Sequence, residues 1–118
     1  MCNLYSVTST QDAIRQLSRA MRDTTGNLPV LPSIFPDTAA PVVRTAGDGV
    51  RELAMMRWGM PSPVFALKGR NADPGITNVR NVKSPHWRRW LGAENRCLVP
   101  FTSFSEYETD TDGRKVPV

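Results

Sequence analysis

Cysteine and histidine are scarce in this chain: two cysteines and one histidine among 118 residues. Cys2, His86 and Cys97 stand singly, far from the short spacings that hold zinc, so no metal site is expected. A structural disulfide between the two cysteines runs against the reducing cytosol in which the chain is expected to work. No apolar run approaches the roughly 20 residues needed to cross a bilayer. The N-terminus lacks the basic and apolar regions of a signal peptide. There are no internal repeats and no low-complexity segments. These absences leave a soluble, cytoplasmic domain with no membrane, metal or cofactor requirement.

What is present is ordinary globular material, 40% hydrophobic and 22% charged, enough for one domain with one modest core. The net charge is +4, supplied mostly by arginine. That sign suits a polyanionic partner without proving one.

The strongest helix signal is TSTQDAIRQLSRAMRDTTGN. Ile14, Leu17 and Met21 recur at helical spacing, Ser9 or Thr10 can cap the start, and Gly26 can end it. NLPVLPSIFPDTAAP has four prolines and predicts an ordered extended loop rather than a central strand. PVVRTAGDGVRELAMMRWGM predicts a β-hairpin around Gly-Asp-Gly. SPHWRRWLGAENR predicts a short helix with Ser84 as cap and Pro85 at its first position. CLVPFTSFSEYE predicts strand. TDTDGRKVPV opens a returning strand close to Val118, so the chain is expected to be the N-terminal part of a longer domain.

Several residues carry possible chemistry. If Met1 is removed, Cys2 presents an α-amine and a thiol on one residue, and both can reach the same carbon. Such a 1,2-aminothiol condenses with an aldehyde to an imine, which the thiol closes to a five-membered thiazolidine; tethering makes that closure fast. The alternative is a buried structural cysteine. In TNVRN, strand alternation would put Asn78 and Arg80 on one face, the first able to donate and accept, the second a fork for phosphate; a solvated strand face is the plain alternative. Glu106 stands among Phe101, Phe104 and Tyr107, a setting that suits a general acid or base as well as it suits a surface carboxylate. Trp58, Trp87 and Trp90 stand near Arg57, Arg88 and Arg89, a mixture that can stack bases and grip the phosphates of single strands. Docking onto the core is the competing role for the tryptophans. His86 has no evident partner and is expected at the surface.

In order along the chain, MC, RWG followed by proline, N-x-R, RCLVP…F…E and a lysine-proline strand resemble the SRAP (SOS response-associated peptidase) family. The resemblance implies an α+β fold, a β-rich, barrel-like core with flanking helices and a basic groove, of which residues 1–118 would be the N-terminal part. It implies that Met1 is lost and that Cys2 attacks the ring-opened aldehyde of an abasic site in single-stranded DNA, shielding the lesion as a thiazolidine. By motif, Asn78 orients the amine and the sugar, Arg80 contacts phosphate, and Glu106 assists methionine removal and imine chemistry. Trp58, Phe65, Arg88 and Arg89 complete the expected DNA-binding set, Phe65 standing weakly for the family's aromatic wedge. The implied partner is single-stranded DNA with abasic sites, bound by a monomer. The sequence departs from the pattern at Leu4, where the family has arginine, and at Asn81, where it often has glutamate. The family's catalytic histidine belongs to a second half that this chain does not show, and His86 does not replace it. The competing functions are an N-terminal-cysteine peptidase or amidohydrolase, a single-strand binder with a structural Cys2, and an inactive remnant.

Overall fold

The computed structural model describes residues 4–109, 113 and 115–117. Its backbone is the predicted hairpin: β4 (Ala39–Thr45) and β5 (Arg51–Arg57) pair antiparallel over their full length, from Ala39 opposite Arg57 to Thr45 opposite Arg51. Both strands carry long apolar stretches, and Ala40 to Val43 and Glu52 to Ala54 are buried. The connecting turn needs Gly49, whose φ is +83°. Two short strands complete this sheet. β2 (Arg22–Asp23) runs parallel to β5, and β6 (Cys97–Leu98) lies antiparallel on β4, giving the order β2-β5-β4-β6.

A second sheet has the order β3-β1-β7, built from β3 (Leu31–Ile34), β1 (Leu4–Val7) and β7 (Ser103–Ser105). β8 (Tyr107–Thr109) and β9 (Lys115–Pro117) form a separate antiparallel pair, so the expected returning strand is present. The α+β, strand-dominated fold read from the sequence stands, but the described strands form open sheets of three, four and two strands rather than a closed barrel. One buried cluster joins the two larger sheets: Tyr5 and Val7 of β1, Ile34 of β3, Ala40 and Val43 of β4 and Leu53 of β5, with Ile14 from the helix α1 (Gln11–Ser18).

α1 is shorter than its apolar spacing predicts. The Thr10 hydroxyl caps it by accepting from the Ala13 amide at 3.2 Å. It stops at Arg19, which turns left-handed at φ +54° and donates back to Arg15 and Gln16. Met21 then joins β5 through its amide, 2.8 Å from the Arg51 carbonyl. Of the predicted stripe only Ile14 is buried; Leu17 and Met21 are 87% and 85% exposed. The proline-rich segment is extended as expected, but it pairs with β1 as an edge strand, a sheet position that tolerates Pro32.

The single buried carboxylate among the described residues is Glu52. It accepts from Arg44 Nε at 2.7 Å and from Arg22 Nη1 at 3.3 Å, and Arg22 also holds Asp48 at 2.5 Å. The Arg44 hydrogen bond, ahead of burial, keeps its carboxyl below the usual range. The hairpin thus carries its own charge balance on its polar side.

Leu53→Ala, at a position with no exposure, should lower unfolding free energy in urea by about 2–5 kcal/mol. Leu17→Ala should stay within about 0.5 kcal/mol, because that side chain leaves the core stripe.

Candidate functional site

The site begins where β5 ends. Trp58 continues the hairpin by donating its amide to Thr38 at 3.0 Å and accepting from Asp37 at 2.9 Å. Its indole stands edge-on to Tyr5, with ring centroids 5.3 Å apart. The next residue, Gly59, meets Gly75 backbone to backbone. A Cβ on Gly59 would fall 3.2 Å from the Gly75 Cα, and one on Gly75 would fall 3.0 Å from the Gly59 Cα. Both glycines have positive φ, +145° and +86°. The contact lets Met60 and Ile76 exchange two amide-to-carbonyl hydrogen bonds of 2.8 Å.

Asp73 latches this crossing. Its carboxylate accepts from the Ser62 hydroxyl at 2.6 Å, the Ser62 amide at 2.8 Å and the Gly75 amide at 2.8 Å. Those hydrogen bonds, the Ser62 hydroxyl first, bring its pKa down to about 2. Arg57 donates to the Asp73 carbonyl and pairs with Asp37, tying the latch to the hairpin.

Above the crossing opens a cavity of about 630 Å³. Tyr5, Trp58, Met60, Val79, Phe101 and Phe104 give it largely apolar walls, and Asn78, Asn95 and Cys97 are among its polar groups. Packing in this wall pushes the Cys97 thiol up, so it stays protonated near neutral pH.

The sequence-predicted residues divide into those the cavity gathers and those it does not. Asn78 and Trp58 line it together. Arg80 is exposed two residues further on. The expected strand at ITNVRNV does not form: among the described residues its strand-like pairing is the Ile76–Met60 bridge. The alternation survives without a ladder: Asn78 and Arg80 are exposed and Val79 is half-buried between them. Glu106 is half-buried and follows Ser105, the residue opposite Leu4, but it does not line the cavity. Cys2 lies outside the described residues. Phe65 sits on the short helix α2 (Val64–Leu67) and is 83% exposed.

Arg88 and Arg89 flank the end of the helix α3 (Pro85–Arg88), which starts with Ser84 and Pro85 as expected. Arg88 is exposed, whereas Arg89 lies over the Trp90 ring, 4.1 Å from its centroid. Trp87 is buried and serves packing. The expectation of an unpartnered His86 is corrected: its Nε2 donates to the Pro61 carbonyl at 2.8 Å, and Arg89 Nη2 donates to its Nδ1 at 3.3 Å. The acceptor at Pro61 and the donor at Arg89 together fix the Nε2–H tautomer. His86 therefore ties α3 to the Pro61 loop beside the glycine crossing.

Sequence reasoning missed Asp73, although Asp-Pro-Gly is a turn signal, and missed Asn95, Cys97 and the two phenylalanines as cavity walls. Among the described residues no three His, Cys, Asp or Glu side chains come together to hold a metal, and no helix is long and apolar enough to cross a membrane.

The fold agrees with comparisons to known proteins. The profile of the SOS response associated peptidase (SRAP) family matches residues 1–118, and the chain belongs to that family. No curated protein matches it significantly. A crystal structure of a Bordetella bronchiseptica protein is similar in fold, with a TM-score of 0.64 and 22% identity over 98% of this chain. The match takes in 55% of the Bordetella chain, so this chain spans little more than half of that neighbour's length. The family takes its name from an association with the SOS response.

Gly75→Ala should destabilise the fold by about 1–3 kcal/mol through its backbone contact and positive φ, while Gly47→Ala, which meets nothing within 4 Å, should be near neutral. Chemical denaturation compares the two. Asp73, depressed to about 2, contributes stability that is present above the ordinary carboxyl value near 4 and is lost as pH falls toward 2. Asp73→Asn should flatten the stability–pH curve across that acid window.

Proposed function

We propose that this chain captures abasic sites in single-stranded DNA covalently through Cys2 once Met1 is removed. The Cys2 α-amine adds to the ring-opened aldehyde and expels one water to give an imine. The thiol sulfur then attacks the imine carbon, the nitrogen takes up a proton, and a thiazolidine closes. Carbon, nitrogen and sulfur are all retained, and water is the sole leaving group. The sequence of steps asks for no metal or cofactor.

One observation carries the proposal: Tyr5 and Asn78 line the same cavity. Cys2 is three residues from Tyr5, a span of at most about 11 Å of chain. Family membership supplies the second support. In this reading Asn78 hydrogen-bonds the amine or the sugar at the cavity rim. Glu106, next to the β1–β7 register at Leu4 and Ser105, moves protons during methionine removal and imine formation. Arg80, Arg88 and Arg89 hold phosphates, with Trp58 as the cavity's stacking wall and Phe65 as an outlying base contact. The chain would act as a monomer in the cytoplasm, on the chromosome where single strands are exposed.

The test is intact mass of the purified chain before and after incubation with a single-stranded oligonucleotide carrying one abasic site. The expected result is loss of Met1 and an adduct equal to protein plus oligonucleotide less one water, absent in Cys2→Ala. Asn78→Ala should slow its formation about tenfold, the effect of one hydrogen bond of about 1.4 kcal/mol. Noncovalent affinity should fall with salt, and Arg80→Ala and Arg88→Ala should each reduce the log–log slope by about 0.7. Retained Met1 with no adduct would overturn the proposal. Turnover of an acyl substrate without DNA would point instead to a peptidase.

A further inference from the structure

His86 is the chain's single histidine, and its two ring nitrogens do different work. Nε2 donates to the Pro61 carbonyl at 2.8 Å, while Nδ1 accepts from Arg89 Nη2 at 3.3 Å. Edge-on contacts with Trp87 and Trp90, at centroid distances of 4.5 and 5.3 Å, hold the ring in place. Arg89 is held in turn: its Nε donates to the His86 carbonyl at 3.2 Å, and its guanidinium lies over Trp90. A guanidinium is always charged and only donates. The Arg89–Nδ1 hydrogen bond therefore exists only while the imidazole is neutral.

Protonation changes one side of the ring and leaves the other alone. Nε2 goes on donating to Pro61, so α3 stays tied to its loop. Nδ1 becomes a donor, and it then stands 3.3 Å from a guanidinium nitrogen, cation against cation. Among the described residues no ion pair joins His86 or Arg89 to a carboxylate. The charged groups around the ring are otherwise engaged or of the same sign. On α3 itself Arg88 is exposed, as is Lys83 just before it. On the Pro61 side, the ionised Asp73 is bound to Ser62 and Gly75. The turn Ala93–Asn95 meets Arg89 through Asn95, which donates to the Arg89 carbonyl at 3.4 Å, and its Glu94 folds against Gly92.

An external oxyanion answers this arrangement, because one phosphate oxygen can accept from Nδ1–H and Nη2–H together and lie between the two positive charges. We infer that His86 and Arg89 form a proton-linked phosphate site: protonation of His86 frees Arg89 Nη2 from the ring, and the pair then grips a backbone phosphate of single-stranded nucleic acid. The inference rests on the reading of Arg89 as a phosphate contact, and it does not depend on the chemistry of Cys2.

The sole histidine makes the test direct, since its Hε1 proton gives one assignable resonance. The full chain is titrated from about pH 5 to 8, the range in which histidines change charge, alone and saturated with undamaged oligothymidylate. That strand offers Cys2 no aldehyde and has no base that titrates in this range. It should move the midpoint of the His86 resonance upward by about half a pH unit or more. Linkage then requires binding about threefold or more tighter at the acidic end. One added phosphate contact should also steepen the log–log salt slope there by about 0.7. His86→Gln, which can still donate to Pro61 but does not titrate, should lose the acidic gain in affinity. Arg89→Ala should lose most of the midpoint shift.

A midpoint unmoved or lowered by a strand that does bind would overturn the inference, as would an acidic gain that survives in His86→Gln. A midpoint moved by sulfate but not by oligothymidylate would overturn the assignment to nucleic acid. A strand that binds at neither end of the titration would also overturn it. The thiazolidine proposal is decided separately, by the mass of the abasic-site adduct.

Discussion

The approach of Gly59 to Gly75 is the constraint on which the rest of the site depends. Two backbones can lie this close only where neither residue has a Cβ. The contact closes the segment from Met60 to Ile76 into a loop, and the paired amides of those two residues seal it. Everything the site uses from this stretch, Asn78 and Arg80 included, is positioned by where that loop closes. Asp73 and Arg57 act on the same point from opposite sides, the first through three donors from Ser62 and Gly75, the second from the end of the hairpin. A short loop with little regular structure thus inherits the rigidity of the longest pair of strands.

That arrangement explains which features the sequence disclosed. Signals that act within a few residues were legible: the Thr10 cap, the Ser84–Pro85 start of α3, the β4–β5 hairpin and the proline-bearing extended segment. Features decided by distant partners were not. The Asn78–Arg80 stretch has the alternation of a strand, but among the described residues the only bridge beside it is Ile76 to Met60, so no ladder forms. Leu17 and Met21 have helical spacing, but Arg19 adopts a left-handed conformation for which an arginine gives no local sign. His86 looked solitary because its carbonyl partner, Pro61, is 25 residues away. Order of motifs along the chain recovered the family where local propensity could not recover the loop.

The cavity's chemistry follows from its walls. Aromatic and aliphatic side chains leave little for water to bind, and the few polar groups, Asn78 among them, stand against a low-polarity surface where a hydrogen bond counts for more than in bulk solvent. The raised Cys97 thiol, protonated on the same wall, is a poor nucleophile there, because the thiolate is the reactive form.

The net positive charge gains meaning only when the pairs are removed from it. Arg15, Arg22, Arg44 and Arg57 each face a carboxylate, and three of those four belong to the β2-β5-β4 sheet. Their charge is balanced within the fold and offers little to an anion outside. On the other side of the glycine crossing, Arg80 and Arg88 are exposed and pair with no carboxylate among the described residues. Arg89 is held over Trp90 and against His86. Arg19, Arg51, Arg70 and Arg96 likewise pair with no carboxylate among the described residues, so the uncompensated arginines are spread over several segments, Arg80, Arg88 and Arg89 among them.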